Sequence, residues 1–470
     1  MLFSSWQFAL FFALVFTAYL ALKRWLKLQN ALLLVASYVF YGWWDWRFLG
    51  LILFSTGIDY FAARKISVSE DERTRKRWLM LSVISNLGLL AYFKYTNFFL
   101  DSLRSAFAQF GGSLPVGALD IILPVGISFY TFQSLSYTVD VYRKETRAST
   151  NFAEFALYVS FFPQLVAGPI ERSSHFLPQV ENPRKITPAG AEAGIFLIIW
   201  GLFKKLVIAD NAALIANPIF EHPTAHGAST LLLGALAFTI QIYGDFSGYS
   251  DMARGLSKLM GFDLMLNFKL PYFAQGPSDF WRRWHVSLSS WLRDYLYIPL
   301  GGNRGSTLKT YRNLFLTMLL GGLWHGAAWN FVAWGAYHGA LLCGARAAGQ
   351  AGVAIKGSGK LAGLARASLM FPLTVIGWIL FRVGKLSDAG TFLGRIASGA
   401  DGAFDKAGWA FLAALATPLI LMQILQLQTD NLLAPTRFRL PVRAFIYGAL
   451  IAATVGFATG KTIEFIYFQF

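Results

Sequence analysis

Residues 311–344 read YRNLFLTMLLGGLWHGAAWNFVAWGAYHGALLCG, and apart from two histidines their only charged side chain is Arg312. The stretch is long enough for one or two membrane helices, because a span needs about 20 mostly apolar residues. Apolar runs of spanning length recur from Leu10 to Gly456. We therefore expect an all-α polytopic membrane protein.

The composition of the whole chain supports this expectation. Of its 470 residues 55% are hydrophobic and 14% are charged, whereas soluble domains carry about 25% charge. The excess of 41 Lys and Arg over 25 Asp and Glu is typical of cytoplasmic loops and of contact with anionic membrane lipid, so we expect no nucleic-acid partner. Cys343 is the only cysteine, which excludes an intrachain disulfide and a metal site built on paired thiols.

Charge and proline positions predict the topology. The first apolar run, Phe8–Leu22, lacks a preceding basic region and a following cleavage site, so we expect a retained helix. The basic segments Arg64–Arg77 and Asp140–Arg147 should be cytoplasmic, which puts the N-terminus outside. Prolines interrupt the apolar segment Asn151–Gly168, and we expect it to be re-entrant. The recurring apolar stretches predict a single membrane domain over residues 1–470, and the absence of an internal repeat disfavours a transporter.

His325 is the first candidate for chemistry, because ionisable residues inside membrane segments are expensive and often functional. An imidazole can accept a hydroxyl proton near neutral pH. If the run is one helix, small residues border His325 and would let a substrate approach closely: Gly321, Gly322 and Ala328. Trp324 and Trp329 would form walls. The alternative is a histidine in a glycine-mediated contact between helices.

His285 is the second candidate. It lies in Phe280–Tyr295, whose Trp and Leu residues have helical spacing and predict an amphipathic helix at the membrane interface. Arg282 and Arg283 belong to seven basic residues that would attract a phosphate-rich acyl donor or a lipid phosphate: Lys269, Arg282, Arg283, Arg293, Arg304, Lys309 and Arg312. The sequence leaves the choice between donor and lipid open.

Two acids, Asp245 and Asp251, lie in the polar segment Gln241–Asp251 between apolar flanks. Buried polar groups need partners. The segment therefore either holds a broken helix together or lines the reaction cavity, and we include both aspartates among the candidate substrate- or donor-binding residues.

Other side chains indicate less chemistry. His338 on the next apolar stretch favours a packing role. His222 and His226 lack an HExxH pattern or a cysteine cluster, so we expect no metal site. The chain has neither a Gly-x-Ser-x-Gly elbow around a plausible nucleophile nor a Walker lysine loop, which disfavours a covalent serine mechanism and nucleotide hydrolysis.

Long motifs resemble the membrane-bound O-acyltransferase (MBOAT) family, in particular its alginate O-acetyltransferase membrane-subunit branch and the peptidoglycan and cellulose acetylation relatives. Together they cover about Leu123 to Gly339. They are PVGISFYTFQ at 124–133, SFFPQLVAGPI at 160–170, DFSGYSD at 245–251, Phe280–Gly302 and Gly321–Trp329.

The resemblance implies a ring-like bundle of about eleven transmembrane helices with re-entrant and interfacial helices, and catalytic roles for His325 and His285. It further implies an acetyltransferase of the bacterial inner membrane. The acetyl group would move from a cytoplasmic thioester, acetyl-CoA or an acyl-carrier protein, to an extracytoplasmic polysaccharide: alginate, cellulose or peptidoglycan. An extracytoplasmic SGNH-type acetyltransferase would act as partner, and no tightly bound cofactor is expected.

In the mechanism that we expect, His325 is general base on the acceptor hydroxyl, while His285 positions or polarises the thioester. Two alternatives remain open at the level of sequence. One is an acyltransferase of the same fold that acts on lipid, on protein or, by D-alanyl transfer, on teichoic acid. The other is a transporter without chemistry of its own.

Overall fold

The computed structural model describes residues 1–113, 117, 119–353, 359–459 and 466. In these ranges the chain forms helices and connections and contains no strand, so the predicted all-α class is confirmed. Contacts group the residues into two compact units. The first unit contains Met1–Ala191 and Leu256–Met265, and the second contains Glu192–Gly255 and Leu266–Phe470. A single functional domain over the whole chain remains a prediction.

The first unit contains nine α-helices among its described residues. They are α1 Trp6–Ala21, α2 Leu26–Asp45, α3 Leu49–Val68, α4 Glu72–Leu90, α5 Thr96–Gln109, α6 Ile127–Tyr142, α7 Phe152–Ser160, α8 Phe162–Leu165 and α9 Ser173–Glu181. A π-helical turn, Ala91–Tyr95, joins α4 to α5. The side chain of Asp71 begins α4 by accepting hydrogen bonds from the backbone N–H groups of Arg73 and Thr74, which satisfies donors that a helix start leaves unpaired.

The segment predicted to be re-entrant contains only short helices. The α7 helix has nine residues and α8 has four. At about 1.5 Å per residue neither crosses a hydrocarbon core of about 30 Å. The break falls at Phe161, before Pro163, because proline cannot donate to the preceding helical turn. These lengths agree with a segment that enters the membrane without crossing it.

The second unit contains the remaining helices of the described residues. They are α10 Pro188–Phe203, α11 Asp210–Glu221, α12 Ala228–Leu259, α13 Pro277–Trp281, α14 Val286–Leu292, α15 Thr307–His325, α16 Trp329–Gln350, α17 Lys360–Arg382, α18 Leu386–Ala397, α19 Lys406–Thr429 and α20 Leu440–Phe457. The first residues of α10 and the last of α12 are grouped with the first unit. Two π-helical turns, Lys204–Ala209 and Arg293–Tyr297, follow α10 and α14 directly.

Four helices of the described residues are long and apolar enough to cross a membrane, namely α12, α17, α19 and α20. The shorter α1 is apolar throughout. In α12, 83% of the most apolar 18-residue window is buried inside the protein. In α20 only 6% of the corresponding window is buried. Exposed Phe445 and Val455 on α20 need lipid around them, because water would not solvate such a surface favourably. The chain is a multi-pass membrane protein, and the number of about eleven spans stays a prediction.

One sequence-based expectation about helices was wrong, and one of two alternatives is excluded. Phe280–Tyr295 is not one amphipathic helix at the interface: the chain breaks between α13 and α14, and Trp281, Trp284 and Trp291 are buried. Conversely, Gln241–Asp251 is not a broken helix, because α12 runs through it without interruption. Packing against neighbouring helices decided both outcomes, and the spacing of residues along the chain does not report it.

Candidate active site

His325 is the last residue of α15, and the short connection to α16 begins immediately after it. Gly326 has an extended backbone, and a Cβ atom on it would lie 2.1 Å from the ring of Phe331. Only glycine fits this close approach. The expectation that Ala328 lies on the same helix as His325 was therefore wrong, because the helix ends before it.

The glycines before His325 are used for helix packing. A Cβ atom on Gly322 would lie 2.3 Å from the carbonyl oxygen of Phe331 and 2.8 Å from the Cα atom of Gly335. The antiparallel helices α15 and α16 approach closely at this point, as small residues permit in membrane proteins. The bare face that the sequence predicts as an approach for substrate is thus occupied by α16 at Gly322.

Aromatic rings surround the imidazole of His325. Its side chain is 5% exposed, and its ring centroid lies 5.0 Å from that of Trp324, 5.0 Å from that of Trp334 and 5.5 Å from that of Phe381. Trp324 therefore lies where the sequence predicts a wall. Trp329 begins α16 and is 58% exposed, so its ring faces away from the protein interior.

His285 lies between α13 and α14 and has a positive φ of 44°. Its residue is fully buried. The ring centroid of His285 is 4.8 Å from that of Phe246 on α12, 6.2 Å from that of Trp324 and 6.5 Å from that of His325. The two candidate histidines, 40 positions apart in the sequence, thus come together in one aromatic enclosure.

Asn267 holds the turn that carries His285. The carbonyl oxygen of Asn267 accepts from the backbone N–H of Val286 at 3.0 Å, and its side chain accepts from the Ser287 hydroxyl at 2.6 Å. The amide of Asn267 donates to the Ser250 hydroxyl on α12 at 3.1 Å. These bonds fix the strained residue, since a left-handed conformation of a non-glycine residue persists only when its surroundings support it.

Three contributors to the site were missed in the sequence: Trp334, Phe381 and Asn267. Trp334 and Phe381 lie on α16 and α17, and their approach to His325 depends on how these helices pack. Asn267 is fully buried in an irregular segment. A polar residue among apolar neighbours was the one signal that could have identified it.

Arg282 and Arg283 have different surroundings. Arg283 pairs with Asp279, with 2.9 Å between its Nε and a carboxylate oxygen, and donates to the Lys269 carbonyl at 3.3 Å. These contacts stabilise the turn after α13. The Arg282 side chain is mostly exposed and lies 3.6 Å from Asp279.

Arg282 also lines a cavity of about 480 Å³. Arg293 lies on the same cavity, whose other walls are apolar or carry hydroxyl groups; its lining includes Trp281, Val286, Ser289 and Met318. Val286 follows His285 directly in the chain. The cavity therefore combines two cations with an apolar wall that begins beside the second candidate histidine.

Asp245 and Asp251 belong to a buried lysine–aspartate cluster, which we define as Lys204, Lys205, Asp210, Asp245 and Asp251. Lys205 lies 2.8 Å from Asp210 and 2.9 Å from Asp245, and Lys204 lies 2.7 Å from Asp251. Lys204 also donates to the Ser247 hydroxyl at 2.9 Å. The carboxylates are thus engaged with lysines of the π-helical turn. The sequence does carry a signal for the lysines, since two cations interrupt an apolar run.

Gly244 permits this arrangement. A Cβ atom on it would lie 3.1 Å from the Lys204 carbonyl oxygen and 3.2 Å from the Cβ atom of Ala209, so α12 lies directly against the π-helical turn. Among the described residues, no three His, Cys, Asp or Glu side chains come together as ligands for a metal ion.

The chain matches a known protein family and several known proteins. The family model of the membrane-bound O-acyltransferases, MBOAT, matches residues 43–351, a range that contains His285 and His325. The chain is 47% identical to the probable alginate O-acetylase AlgI of Pseudomonas aeruginosa over 83% of this chain and 73% of that protein. It is 40% identical to the protein of the same name from Pseudomonas putida over the full length of both.

The name of a third relative indicates a different polymer. The peptidoglycan O-acetyltransferase of Helicobacter pylori is 38% identical over 76% of this chain and 71% of that protein. The family match covers more than half of the chain and includes the paired buried histidines. The chain therefore belongs to the membrane-bound O-acyltransferase family.

Proposed function

We propose that this protein transfers an acetyl group from a cytoplasmic thioester to a hydroxyl group of an extracytoplasmic polysaccharide. The observation that carries the proposal is the pair of buried imidazoles, with ring centroids 6.5 Å apart, inside one aromatic enclosure. The names of the relatives, alginate O-acetylase and peptidoglycan O-acetyltransferase, support a polysaccharide as the acceptor.

The chemistry requires one base and one polarising group. The acceptor hydroxyl oxygen attacks the thioester carbonyl carbon while His325 takes the hydroxyl proton. The C–O bond forms, the C–S bond breaks, and the leaving thiolate receives the proton from His325. His285 donates to the carbonyl oxygen as negative charge develops there. No acyl-enzyme is needed, and the surrounding tryptophan and phenylalanine rings keep water from the thioester.

The donor enters through the cavity that Arg282 and Arg293 line. Acetyl-CoA and an acyl-carrier protein share a phosphate-bearing pantetheine arm that ends in the thioester. The arginines would pair with phosphate, while the apolar wall would bury the arm. The two donor types have this chemistry in common, so the lining of the cavity supports either donor.

The remaining assignments follow from the same proposal. The protein lies in the bacterial inner membrane with its N-terminus outside, because the basic segments 64–77 and 140–147 then face the cytoplasm. An SGNH-type acetyltransferase outside the membrane receives the acetyl group or completes its delivery to the polymer. Deleting that partner should lower polymer acetylation while the amount of this protein in the membrane stays unchanged.

The test is His325→Ala, expressed in cells that depend on this protein for polymer acetylation. A general base contributes about 10²–10⁴ in rate, so acetyl content should fall to background while the protein level in the membrane is unchanged. His222→Ala is the matched control, since His222 is exposed on another connection. Wild-type acetylation by the His325→Ala variant would refute the proposal.

A further inference from the structure

A third histidine forms a buried triangle with two tryptophans. The ring centroid of His338 lies 4.7 Å from that of Trp334 and 5.2 Å from that of Trp281, and the two indole centroids are 5.6 Å apart. His338 and Trp334 are each 1% exposed. We call these three side chains the His338 triangle.

Each member of the His338 triangle has a buried nitrogen without a hydrogen-bond partner among the described residues: His338 Nδ1, Trp281 Nε1 and Trp334 Nε1. A buried polar atom left unsatisfied costs about 1–3 kcal/mol, and native proteins contain few of them. The rings meet edge to face, and contacts of N–H groups with aromatic faces are weak. Three such nitrogens on rings that contact one another point to a polar group bound among them.

The nitrogens determine what kind of ligand fits. An indole N–H can only donate, and the imidazole Nδ1 can donate in one tautomer. A group that pairs with these donors must present an oxygen with acceptor lone pairs. An amide carbonyl oxygen has two such lone pairs and can accept from two of the three nitrogens, whereas an ammonium group can accept from none.

The His338 triangle contacts both the cavity and the surroundings of His325. Trp281 lines the cavity that Arg282 and Arg293 share. At the opposite corner, the Trp334 ring is 5.0 Å from the ring of His325. A thioester arm that runs from this cavity to His325 passes the His338 triangle.

We propose that the His338 triangle binds an amide carbonyl oxygen of the thioester arm of the acyl donor and so positions the thioester at His325. The inference rests on the proposed function, because it assumes a thioester donor. CoA and acyl-carrier donors carry the same amides, so the triangle serves either.

The test compares His338→Phe with the wild type in membrane vesicles. Phenylalanine keeps the ring that stacks on Phe280 but removes both nitrogens. With a polysaccharide acceptor present, thiol release is measured with acetyl-CoA, whose arm contains amides, and with S-ethyl thioacetate, which contains none. We expect KM for acetyl-CoA to rise about tenfold with kcat nearly unchanged, as the loss of one well-made hydrogen bond predicts. Cleavage of S-ethyl thioacetate should be unaffected.

Two further variants keep the test decisive. His338→Gln restores an N–H donor and should recover part of the KM for acetyl-CoA. Trp281→Phe removes one indole N–H and should show the same donor-specific increase in KM, even where His338→Phe fails to fold.

Equal losses with both donors, or wild-type kinetics with acetyl-CoA, would overturn the inference in favour of packing alone. Failure of the proposed function looks different: His325→Ala would then retain acetyl transfer, whatever the His338 variants do.

Discussion

Two polar clusters lie in the second unit, and they are built on opposite principles. In the lysine–aspartate cluster every lysine lies within 3 Å of a carboxylate, as the 2.7, 2.8 and 2.9 Å contacts show. In the histidine site, imidazoles are enclosed by tryptophan and phenylalanine rings at centroid distances of 4.8–5.5 Å. Paired opposite charges hold helices together, whereas an imidazole can exchange a proton with a substrate. We therefore expect a structural role for the first cluster and a chemical role for the second.

The largest effect should come from breaking the first cluster. Lys205→Met leaves Asp210 and Asp245 buried without their shared cation, and removing one partner of a buried pair costs about 3–5 kcal/mol. The thermal unfolding midpoint in detergent should fall sharply, and so should the amount of protein in the membrane. Lys269→Met is the control, because Lys269 and Asp430 are exposed and 3.6 Å apart, and such pairs contribute about 1 kcal/mol or less. Equal losses for the two variants would contradict a structural role for the cluster.

The next prediction distinguishes the role of the His285 ring in catalysis from the effect of its backbone conformation on stability. His285→Gly and His285→Ala both remove the imidazole, and acetyl transfer should fall about 100-fold in each, the usual cost of losing one transition-state donor. Only alanine adds strain at a φ of 44°, which costs about 1–2 kcal/mol. The alanine variant should therefore unfold at a lower temperature than the glycine variant. Wild-type turnover by His285→Gly would exclude a catalytic role for the ring.

A smaller effect tests the helix contact that supports His325. Gly322→Ala places a methyl group 2.3 Å from a backbone oxygen, and overpacking of this kind costs about 1–3 kcal/mol. Gly344→Ala on α16 meets nothing within 4 Å and should be neutral or slightly stabilising. Circular dichroism melts and acetyl transfer should distinguish the two. If both are neutral, α15 and α16 do not pack as described.

The smallest effect concerns a histidine outside both clusters. The hydrogen bond of His175 to the buried Glu171, 2.8 Å long, raises the pKa of His175 above its usual value. A raised pKa stabilises the fold below the usual pKa of about 6.5, and this stability is lost as the pH rises through the higher folded value. Because His175 is half-exposed, the loss should be at most about 1 kcal/mol. Melting temperatures measured across this pH range should fall for the wild type but not for His175→Gln, and parallel curves would contradict the prediction.

The fold class and the family could be predicted from the sequence, whereas the candidate active site could be predicted only in part. Apolar runs, few charges and two histidines within motifs led to an all-α membrane acyltransferase, and the family match confirmed it. The helical spacing of Trp281, Trp284 and Trp291 did not predict the break at His285. Periodicity describes which residues would share a face if the helix continues, and it cannot show where a tertiary contact stops that helix.

Composition alone determined that this protein lies in a membrane, because the free energy of apolar burial depends on the residues present and not on their partners. The local sequence patterns determined which residue types are available for chemistry. Only the tertiary structure decided that Trp334 and Phe381 enclose His325, and that Lys204 and Lys205 pair with Asp251 and Asp245. Those contacts join residues of separate helices, and helix propensity acts only over a few neighbouring positions. The packing of whole helices therefore selects the partners.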